Sequence, residues 1–413
     1  MLIGIPLPPP AAIAQEFPET SDRFSPDTPI EQDKQTGALC PAQASEAIGR
    51  IAGRTSAQWG ILVQTQGAAA SRKTLVNRNG SQLLIPASNT KVLTTAAALT
   101  RLGSQYKIRT SVLGNSTTAN LSTLRIVGRG DPSLTTAKLD TLTQQLNRKN
   151  IKQVALLIGD DTYFRGQAIN PFWDLEDTLA GYGAAVNSLI LNQNSIALTL
   201  FPQRVGQALR VQWDDPTDAI GWRVNNQSIT VAPGAGESID AVRDPKQWVI
   251  NITGQLQAGS ASEPVYVSVP NPGNYLVQKF RSALTRAQIG VAQSTLVSAT
   301  PASPGEVELA AIDSPPLSDL IYETNQESNN LYAEALLKTL GRVQTPTSLN
   351  ATESGVAAVK AILTTLGVNP QGIATVDGSG LARRDRVSPE ALVQTLQAMA
   401  QSSNAAVFRR SLP

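Results

Sequence analysis

The sequence predicts an α/β (α+β) fold in which a domain built from both ends of the chain is interrupted by a large mixed, strand-rich insertion. Helical patterns lie near the start, where an Ala- and Leu-rich run covers 89–102, and again from 315 onward. Between them, short alternating runs broken by Gly, Pro, Asn and Asp dominate 108–300 and are typical of strands. A strand-like central segment between two helix-rich ends indicates that one domain is inserted into another.

The predicted elements follow the periodicity of apolar residues along the chain. Strands are predicted where short apolar runs are bounded by turn residues, at 59–64, 82–86, 124–127, 154–158, 195–201, 248–255 and 265–269. Helices are predicted where apolar residues recur every three to four positions, at 89–102, 136–149, 273–287, 317–324, 330–340, 354–366 and 389–401. This order indicates a strand-to-helix entry before the insertion and a helical part after it.

The same changes between helical and strand-like residue patterns predict three parts of the chain. Residues 1–44 form a signal remnant and linker, 45–107 and 305–413 form the split domain, and 108–304 form one or more inserted accessory domains. The run 1–15 is apolar and Pro-rich and contains Ala-Ile-Ala near its end, which resembles the tail of a secretory signal without its basic start. A disordered arm is the alternative interpretation of that run.

Composition and charge exclude several classes of function. The chain has 413 residues, of which 41% are hydrophobic and 16% charged, so it is long enough for two or three domains with their own cores. With 34 basic and 32 acidic residues the net charge is +2, and we expect no nucleic-acid partner. Apolar runs stay shorter than the roughly 18 residues of a transmembrane helix, so we expect no transmembrane segment.

Histidine is absent from the sequence. Its absence removes the Ser-His-Asp and Cys-His nucleophile pairs and every zinc site that uses imidazole. The single cysteine, Cys40, can form no internal disulfide and has no basic neighbour, so we interpret it as an idle thiol. We predict no metal and no cofactor, and a hydrolase built on this sequence must find its general base elsewhere.

A serine and a lysine three positions apart can supply that base. Ser88 and Lys91 lie at the start of the predicted helix 89–102, where residues three apart share one face and their side chains can meet. The free amides and the positive dipole end of a helix N-terminus also favour a developing oxyanion. The alternative is a capping serine below a solvated lysine. The same spacing recurs at 104–107, in a strand-like context where residues three apart face opposite sides.

A second polar group lies at 328–330, in a loop between two predicted helices. Ser328 can relay a proton, and the Asn330 amide offers both a donor and an acceptor to a peptide substrate. The alternative is another helix cap, because Ser and Asn favour such positions. Similar Ser-x-Asn triplets occur at 348–350 and 402–404.

Several long segments, in the expected order, resemble one family. The segments 86–91 (Pro-Ala-Ser-Asn-Thr-Lys) and 327–334 (Glu-Ser-Asn-Asn-Leu-Tyr-Ala-Glu) are similar to the first two active-site motifs of class C low-molecular-mass penicillin-binding proteins, the D-alanyl-D-alanine carboxypeptidases/endopeptidases. Further similar segments lie at 128–134, 159–164 and 377–381. The resemblance covers residues 45–413, and several ordered matches are more specific than any one triplet.

The resemblance implies a penicillin-binding-protein/β-lactamase-like transpeptidase domain and a penicillin-sensitive hydrolase that works through an acyl-enzyme. It implies Ser88 as the nucleophile, Lys91 as the base that takes its proton, Ser328 as the proton relay and Asn330 as a contact to the substrate amide. A lysine can act as a base only if burial and neighbouring groups lower its pKa. The implied partners are peptidoglycan stem peptides and, as covalent inhibitors, β-lactam antibiotics, in a periplasmic or otherwise extracytoplasmic location.

Two further residues are carried over from the resemblance as substrate contacts. Asp161 matches an acidic position that, in some relatives, faces the free amino end of the stem peptide, and Arg383 is expected to help position that end. A turn-stabilising Asp and a surface Arg are the alternatives. The segment 377–380 is interpreted as a tight structural turn, because its glycines supply the positive φ that such turns require.

The family's third motif, a Lys-Thr-Gly strand, does not occur after Ser328. The residues 408–413 resemble the approach to that strand, so we expect the sequence to be cut short and its sheet to be incomplete. The missing motif supports an alternative function, a non-catalytic peptidoglycan-binding or scaffold protein with the same fold. A β-lactamase-like hydrolase is disfavoured by the large insertion between the two motifs.

Overall fold

The computed structural model describes residues 46, 48–50, 58–297 and 305–413. The proposed signal remnant and linker at 1–44, which include Cys40, lie outside the described residues. Within the described part, no helix combines the length and the apolar character needed to cross a bilayer.

Helices and strands alternate in the first part of the chain, and helices dominate the last part. The helices, in chain order, are α1 Thr90–Leu102, α2 Thr136–Arg148, α3 Pro272–Arg286, α4 Leu317–Gln326, α5 Asn330–Gln344, α6 Ala351–Thr365, α7 Pro389–Ala400 and α8 Ala405–Ser411. The strands, in chain order, are β1 Ile61–Gln64, β2 Thr74–Arg78, β3 Arg109–Gly114, β4 Asn120–Val127, β5 Gln153–Asp160, β6 Ser195–Phe201, β7 Arg210–Trp213, β8 Arg223–Asn226, β9 Ile229–Val231, β10 Ser238–Arg243, β11 Val249–Gln257, β12 Glu263–Ser268, β13 Gly290–Val297, β14 Val307–Asp313, β15 Ile373–Ala374 and β16 Arg386–Val387.

Most elements that periodicity predicts are confirmed to within a few residues. The predicted strand at 82–86 is wrong, because only Leu84 pairs there, in an isolated bridge with Val387. Pro86 has no N–H to donate to a ladder, and the turn that carries Ser88 begins directly after it. Residues 408–411, the first part of the stretch 408–413 expected to lead into a strand, belong to helix α8.

The first hydrophobic core surrounds α1. Its residues Ala96, Ala97, Ala98 and Leu99 are fully buried, and α4, α5, α6 and α7 contact this helix or share its core. Alanine side chains occupy little volume, so the surrounding helices can approach α1 closely. Both ends of the described chain therefore meet around the helix that follows Ser88.

A second core lies in the insertion, around a five-stranded sheet with the order β13-β5-β4-β3-β14. Strands β4, β5 and β13 run parallel, β3 is antiparallel to β4 and β14, and apolar residues of α2 and α3 join the core. Because β14 completes this sheet, the proposed domain division needs one change: we place its second boundary after Asp313 instead of at 304/305.

The third core is the smallest and belongs to an all-β region of the insertion. The sheets β12-β6-β7 and β10-β11-β8, with β9 beside β11, bury apolar residues such as Leu198, Ile250 and Ile252 between them. Lys279 of α3 connects this region to the second core, since its Nζ lies 2.8 Å from Asp215 Oδ2. The insertion therefore contains two packed units joined by polar contacts.

The five-stranded sheet contains one buried and one exposed arginine, each paired with two carboxylates. On β4, Arg125 lies 3.2 Å from Asp160 and 3.1 Å from Glu306, and all three side chains are no more than 6% exposed. On β3, Arg109 forms ion pairs of 2.6 and 3.0 Å with side chains that are about as exposed as its own. The two groups lie in the same sheet and contain the same kinds of side chain, but one group is buried and the other is exposed.

We predict that Arg125→Met lowers the free energy of unfolding by about 3–5 kcal/mol, because it leaves two buried carboxylates without a counter-charge. The matched variant Arg109→Met should cost no more than about 1 kcal/mol, because solvent screens its exposed pairs. Urea unfolding of both variants measures the difference. Equal losses for the two variants would contradict the argument from burial.

Candidate active site

Ser88 lies in a short 3-10 turn, Ala87–Asn89, immediately before α1. The backbone of Ala87 has φ 47°, a left-handed conformation that non-glycine residues adopt at an energetic cost. Asn89 closes the turn, because its backbone N–H and its Nδ2 both donate to the carbonyl oxygen of Pro86, at 3.2 and 3.0 Å. The turn leaves the Ser88 side chain exposed at the N-terminus of a buried helix.

The Lys91 side chain is buried next to this turn, at 2% exposure. Its Nζ lies 3.2 Å from Ser88 Oγ, 2.7 Å from Asn330 Oδ1 and 2.9 Å from the carbonyl oxygen of Ser379. The structure thus brings Ser88, Lys91 and Asn330 together, as the sequence predicts. The Ser379 carbonyl is a third partner that sequence reasoning did not identify.

The two carbonyl partners determine how the Lys91 amine is oriented. Oδ1 of Asn330 and the carbonyl oxygen of Ser379 can only accept hydrogen bonds. A neutral amine has two N–H groups, and when both donate to these oxygens its lone pair points toward the remaining partner, Ser88 Oγ. Burial lowers the pKa of Lys91 from 10.5 to about 8, against the opposing charges of Asp377 and Glu334. About a tenth of the Lys91 amine is therefore neutral at pH 7, against a far smaller fraction at the usual pKa.

Ser328 completes the group from the loop between α4 and α5. Its Oγ donates to Ser88 Oγ at 2.8 Å, and its backbone has φ 51°. The following residue, Asn329, caps α5 by accepting from the Tyr332 amide at 3.2 Å, so Asn330 sits in the first turn of that helix. The predicted second motif therefore presents a hydroxyl and an amide to the first.

The Asn330 amide is engaged at both ends. Oδ1 accepts from Lys91, and Nδ2 donates to the carbonyl oxygen of Tyr182 at 3.1 Å. Tyr182 belongs to the 3-10 turn Gly181–Gly183 of the insertion. One Nδ2 hydrogen remains for a substrate, because Tyr182 uses only one of the two. The insertion thus helps to orient the amide that holds the lysine.

Asp161 and Arg383 lie outside this hydrogen-bonded group. The carboxylate of Asp161 accepts from Asn187 Nδ2 at 3.0 Å and from the Ser188 amide at 2.6 Å. Burial raises the pKa of Asp161, which these hydrogen bonds oppose. Arg383 is 73% exposed and pairs with Asp174 at 3.0 Å. Among the described residues, no hydrogen bond joins either side chain to Ser88, Lys91, Ser328 or Asn330, so their predicted roles stay predictions.

The other Ser-x-x-Lys spacing, at 104–107, forms no such group. Lys107 is exposed and stands just before β3. Its surroundings agree with the strand-like context that the sequence indicates. Burial of the amine, rather than spacing alone, therefore separates the two lysines.

The loop that supplies the Ser379 carbonyl approaches the nucleophile turn closely. Gly380 has φ +82°, and a Cβ built on it would overlap the carbonyl oxygen of Ala87 and lie 2.8 Å from Thr90 Oγ1. A glycine is therefore required for two reasons, its backbone conformation and the space that it leaves. The segment 377–380 is a tight turn, as expected, and it also orients the lysine.

We predict that Gly380→Ala displaces this loop and slows acylation of Ser88 by a fluorescent penicillin on the order of 100-fold, since catalytic geometry tolerates little displacement. The control is Gly367→Ala, because Gly367 also has a positive φ, +86°, but a Cβ added there would meet nothing within 4 Å. That variant should cost about 1–2 kcal/mol of stability and leave the rate unchanged. A wild-type rate in Gly380→Ala would contradict the close-approach argument.

Known proteins are similar to this chain over most of its length. Residues 46–413 match the family described as D-Ala-D-Ala carboxypeptidase 3 (S13). The D-alanyl-D-alanine carboxypeptidase of Actinomadura sp. (strain R39) is 29% identical over 356 residues, which are 83% of this chain and 65% of that protein. The penicillin-sensitive carboxypeptidase A of Dictyostelium discoideum is 24% identical over 368 residues, which are 82% of this chain and 68% of that protein.

Among solved structures, penicillin binding protein 4 (dacB) from Haemophilus influenzae superposes with a TM-score of 0.68 at 23% identity, over 82% of this chain and 74% of that chain. This likeness confirms the penicillin-binding-protein-like fold with its insertion. The chain spans just under two thirds of the length of the Actinomadura relative. Because the family match extends over most of the sequence, the chain belongs to the D-Ala-D-Ala carboxypeptidase 3 (S13) family.

Proposed function

We propose that this protein is a serine-type D-Ala-D-Ala carboxypeptidase/endopeptidase that hydrolyses peptidoglycan stem peptides through an acyl-enzyme. One observation carries the proposal: the buried Lys91 amine faces the Ser88 hydroxyl at 3.2 Å, while two carbonyl oxygens hold its N–H groups. Membership of the S13 family supports the same chemistry. The relatives named as carboxypeptidases, one of them penicillin-sensitive, support it further.

Acylation begins with proton transfer from Ser88 Oγ to the lone pair of neutral Lys91. As the proton leaves, Oγ attacks the carbonyl carbon of the penultimate D-Ala and a tetrahedral intermediate forms. The Ser88 amide lies at the N-terminus of α1, where free N–H groups and the helix dipole favour the oxyanion. The site therefore supplies a base and a positive potential without an imidazole.

The leaving group needs a proton, and Ser328 lies on a path that can deliver it. When the C–N bond breaks, the amine of the terminal D-Ala takes the Ser328 hydroxyl proton. The Lys91 ammonium then returns a proton to the Ser328 oxygen, because Ser88 Oγ is bonded to the acyl carbon at this stage and carries no proton. Ser328 Oγ lies 2.8 Å from Ser88 Oγ, next to the bond that breaks. In the second half-reaction, water attacks the ester and releases the shortened peptide, with Lys91 again taking the proton.

Substrate contacts extend this proposal beyond the reacting atoms. The Nδ2 hydrogen of Asn330 that Tyr182 does not use suits a peptide carbonyl of the stem. We propose Asp161 and Arg383 as contacts near the free amino end of the stem, as the family resemblance implies. Both side chains already have protein partners, so a substrate would add to or replace those hydrogen bonds.

The proposed location and inhibitors follow from the proposed substrate. Peptidoglycan lies outside the cytoplasmic membrane, so we propose extracytoplasmic action. β-Lactams are the proposed covalent inhibitors, acylating Ser88. In support, penicillin binding protein 4 from Haemophilus influenzae has been solved in complex with a β-lactam.

We predict that a fluorescent penicillin forms a covalent adduct with this protein and that Ser88→Ala abolishes it, because the variant lacks the attacking oxygen. Mass spectrometry of the intact protein measures the adduct, and D-Ala release from a stem pentapeptide measures turnover. The control is Ser104→Ala, which alters the other Ser-x-x-Lys spacing and should label normally. A folded wild-type protein that binds muropeptides but forms no adduct would support the non-catalytic alternative instead.

We also predict that the rate of penicillin acylation rises with pH through a midpoint of about 8. Only the neutral Lys91 amine can accept the Ser88 proton, and its pKa is about 8, so the rate should increase about tenfold per unit below the midpoint and level off above it. Stopped-flow labelling between pH 6 and 10 measures the profile. Lys91→Arg should lose the reaction at every pH, while the exposed Lys107→Arg should keep the wild-type profile.

A further inference from the structure

Three carboxyl groups lie buried behind the Lys91 amine. Glu334 of α5, Asp377 and Asp385 are 2%, 1% and 0% exposed, respectively. Two of them hold the loop 377–382, which carries the Ser379 carbonyl. The proposed mechanism uses none of these carboxyl groups, yet burying three charges in one place is costly unless each is paired or neutral.

Glu334 and Asp377 hold the loop through its backbone amides. Glu334 Oε1 accepts from the amides of Gly378 and Ser379, at 2.7 and 2.9 Å. Asp377 Oδ1 accepts from the amides of Ser379 and Gly380, at 3.1 and 2.7 Å. Two carboxylates thus accept hydrogen bonds from the backbone N–H of Ser379, and the carbonyl oxygen of the same residue accepts one from Lys91.

The second oxygen of Asp377 also accepts hydrogen bonds, including a long one of 3.4 Å from Ser379 Oγ. Oδ2 accepts from the Ala382 amide at 2.7 Å and from the indole N–H of Trp173 at 2.9 Å. N–H donors therefore surround both oxygens of this carboxylate, and an ionised group satisfies them all. A proton on either oxygen would turn one of these contacts into a clash of donors.

Asp385 differs from its neighbour. Its Oδ1 accepts from the Val376 amide at 2.7 Å, but no donor among the described residues reaches its buried Oδ2. The Asp385 carboxyl instead forms a side-chain hydrogen bond with Asp377. Two carboxylates can form that hydrogen bond only if one carries a proton.

We propose that Asp385 is a positioning residue that remains protonated in the folded protein and donates a hydrogen bond to Asp377, fixing the loop whose Ser379 carbonyl orients Lys91. The proton resides on Asp385 because Asp377 already accepts from donors on both oxygens. This assignment satisfies the otherwise unpaired Oδ2 of Asp385. The link to Lys91 rests on the proposed function, whereas the protonation state does not.

The surrounding charges agree with a neutral Asp385. Burial, followed by the charge of Asp377, raises the pKa of Asp385 to about 9. Glu334 adds a further negative charge from α5, and burial also raises the pKa of Glu334. The Lys91 amine contacts this loop through the Ser379 carbonyl.

The arginines next to Asp385 in the sequence are engaged elsewhere. Arg383 pairs with Asp174, the Arg384 guanidinium lies 4.6 Å from the Phe172 ring centroid, and Arg386 donates to backbone carbonyl oxygens. Lys338, the buried lysine of α5, donates to the backbone carbonyl oxygens of Gln167 and Val186. Within the described part of the chain, none of these cations forms a hydrogen bond or ion pair with the Asp385 carboxyl.

A neutral Asp385 matters for the base because negative charge near an amine raises its pKa. Asp377 and Glu334 already oppose the effect of burial on Lys91. A third ionised carboxyl would raise the pKa of Lys91 further and reduce its neutral fraction. Protonated Asp385 therefore rigidifies the loop without adding that charge.

The first experiment measures the proton directly from stability, with no need for activity. An unfolded Asp ionises near pH 3.9, whereas Asp385 in the folded protein should hold its proton to about pH 9. The stability that this proton contributes is therefore complete below the unfolded pKa and is lost as pH rises toward the folded pKa. Asp385→Asn cannot titrate and keeps an N–H donor toward Asp377.

We expect the unfolding equilibrium constant of the wild type, relative to that of Asp385→Asn, to rise about tenfold per pH unit between pH 5 and 8. Urea unfolding at several pH values measures both constants. A ratio that stays flat across this window would overturn the proposal, because it would mean that Asp385 is already ionised in the folded protein. Comparing the two proteins cancels the titration of Lys91 and the other groups that they share.

The second experiment uses the pH midpoint of penicillin acylation. Asp385→Asn removes no charge if Asp385 is neutral, so its midpoint should equal that of the wild type. The neighbouring isosteric change Asp377→Asn removes a real negative charge and should lower the midpoint. A lowered midpoint in Asp385→Asn would overturn the proposal, and so would a wild-type rate and midpoint in Asp385→Leu, which has no donor.

The two experiments distinguish the possible failures. If the wild type forms no adduct with penicillin, the proposed function fails, but the stability ratio still reports the proton on Asp385. If Asp377→Asn or Asp385→Leu does not fold, the midpoint of Asp385→Asn against the wild type still decides the charge state. A flat stability ratio with normal acylation would refute the Asp385 assignment alone.

Discussion

The structure around the active serine depends on burying one amine between two carbonyl oxygens. Lys91 donates to Asn330 Oδ1 and to the Ser379 carbonyl, and these acceptors leave one direction open, toward Ser88. Lowering the pKa from 10.5 to about 8 corresponds to about 3 kcal/mol against the ammonium form. Burial thus allows the lysine to act as a base, and the two acceptors direct its lone pair toward Ser88.

Several distant segments must meet for this to happen. The helix that begins after Ser88 is lined with small and apolar side chains, so it lies in the centre of the first core. The amide of Asn330 comes from a helix beyond the insertion, and its second partner, the Tyr182 carbonyl, comes from within the insertion. The insertion therefore contributes to the site, because the Tyr182 carbonyl orients the Asn330 amide, and that amide in turn orients Lys91.

The sequence indicated those candidate site residues whose side chains follow a characteristic spacing. A helix places Ser88 and Lys91 on one face, and a polar triplet carries Ser328 and Asn330 between two helices, which made them candidates. The family resemblance then distinguished them from the similar patterns at 104–107, 348–350 and 402–404. The Ser379 carbonyl was not predictable, because every residue has a carbonyl and only tertiary packing selects one. The burial of Asp385 likewise arises from packing, since the polar segment around it has no apolar periodicity.

Strain at the site indicates that the rest of the fold stabilises it. Ala87 and Ser328, which flank the nucleophile on either side, both have left-handed backbone conformations, each costing on the order of 1–3 kcal/mol. Such conformations persist only where surrounding contacts over-determine them. Here the buried helix α1 and the capped start of α5 supply those contacts, so the exposed serine rests on rigid elements. A site held in this way can keep its hydroxyl groups 2.8 Å apart before any substrate arrives.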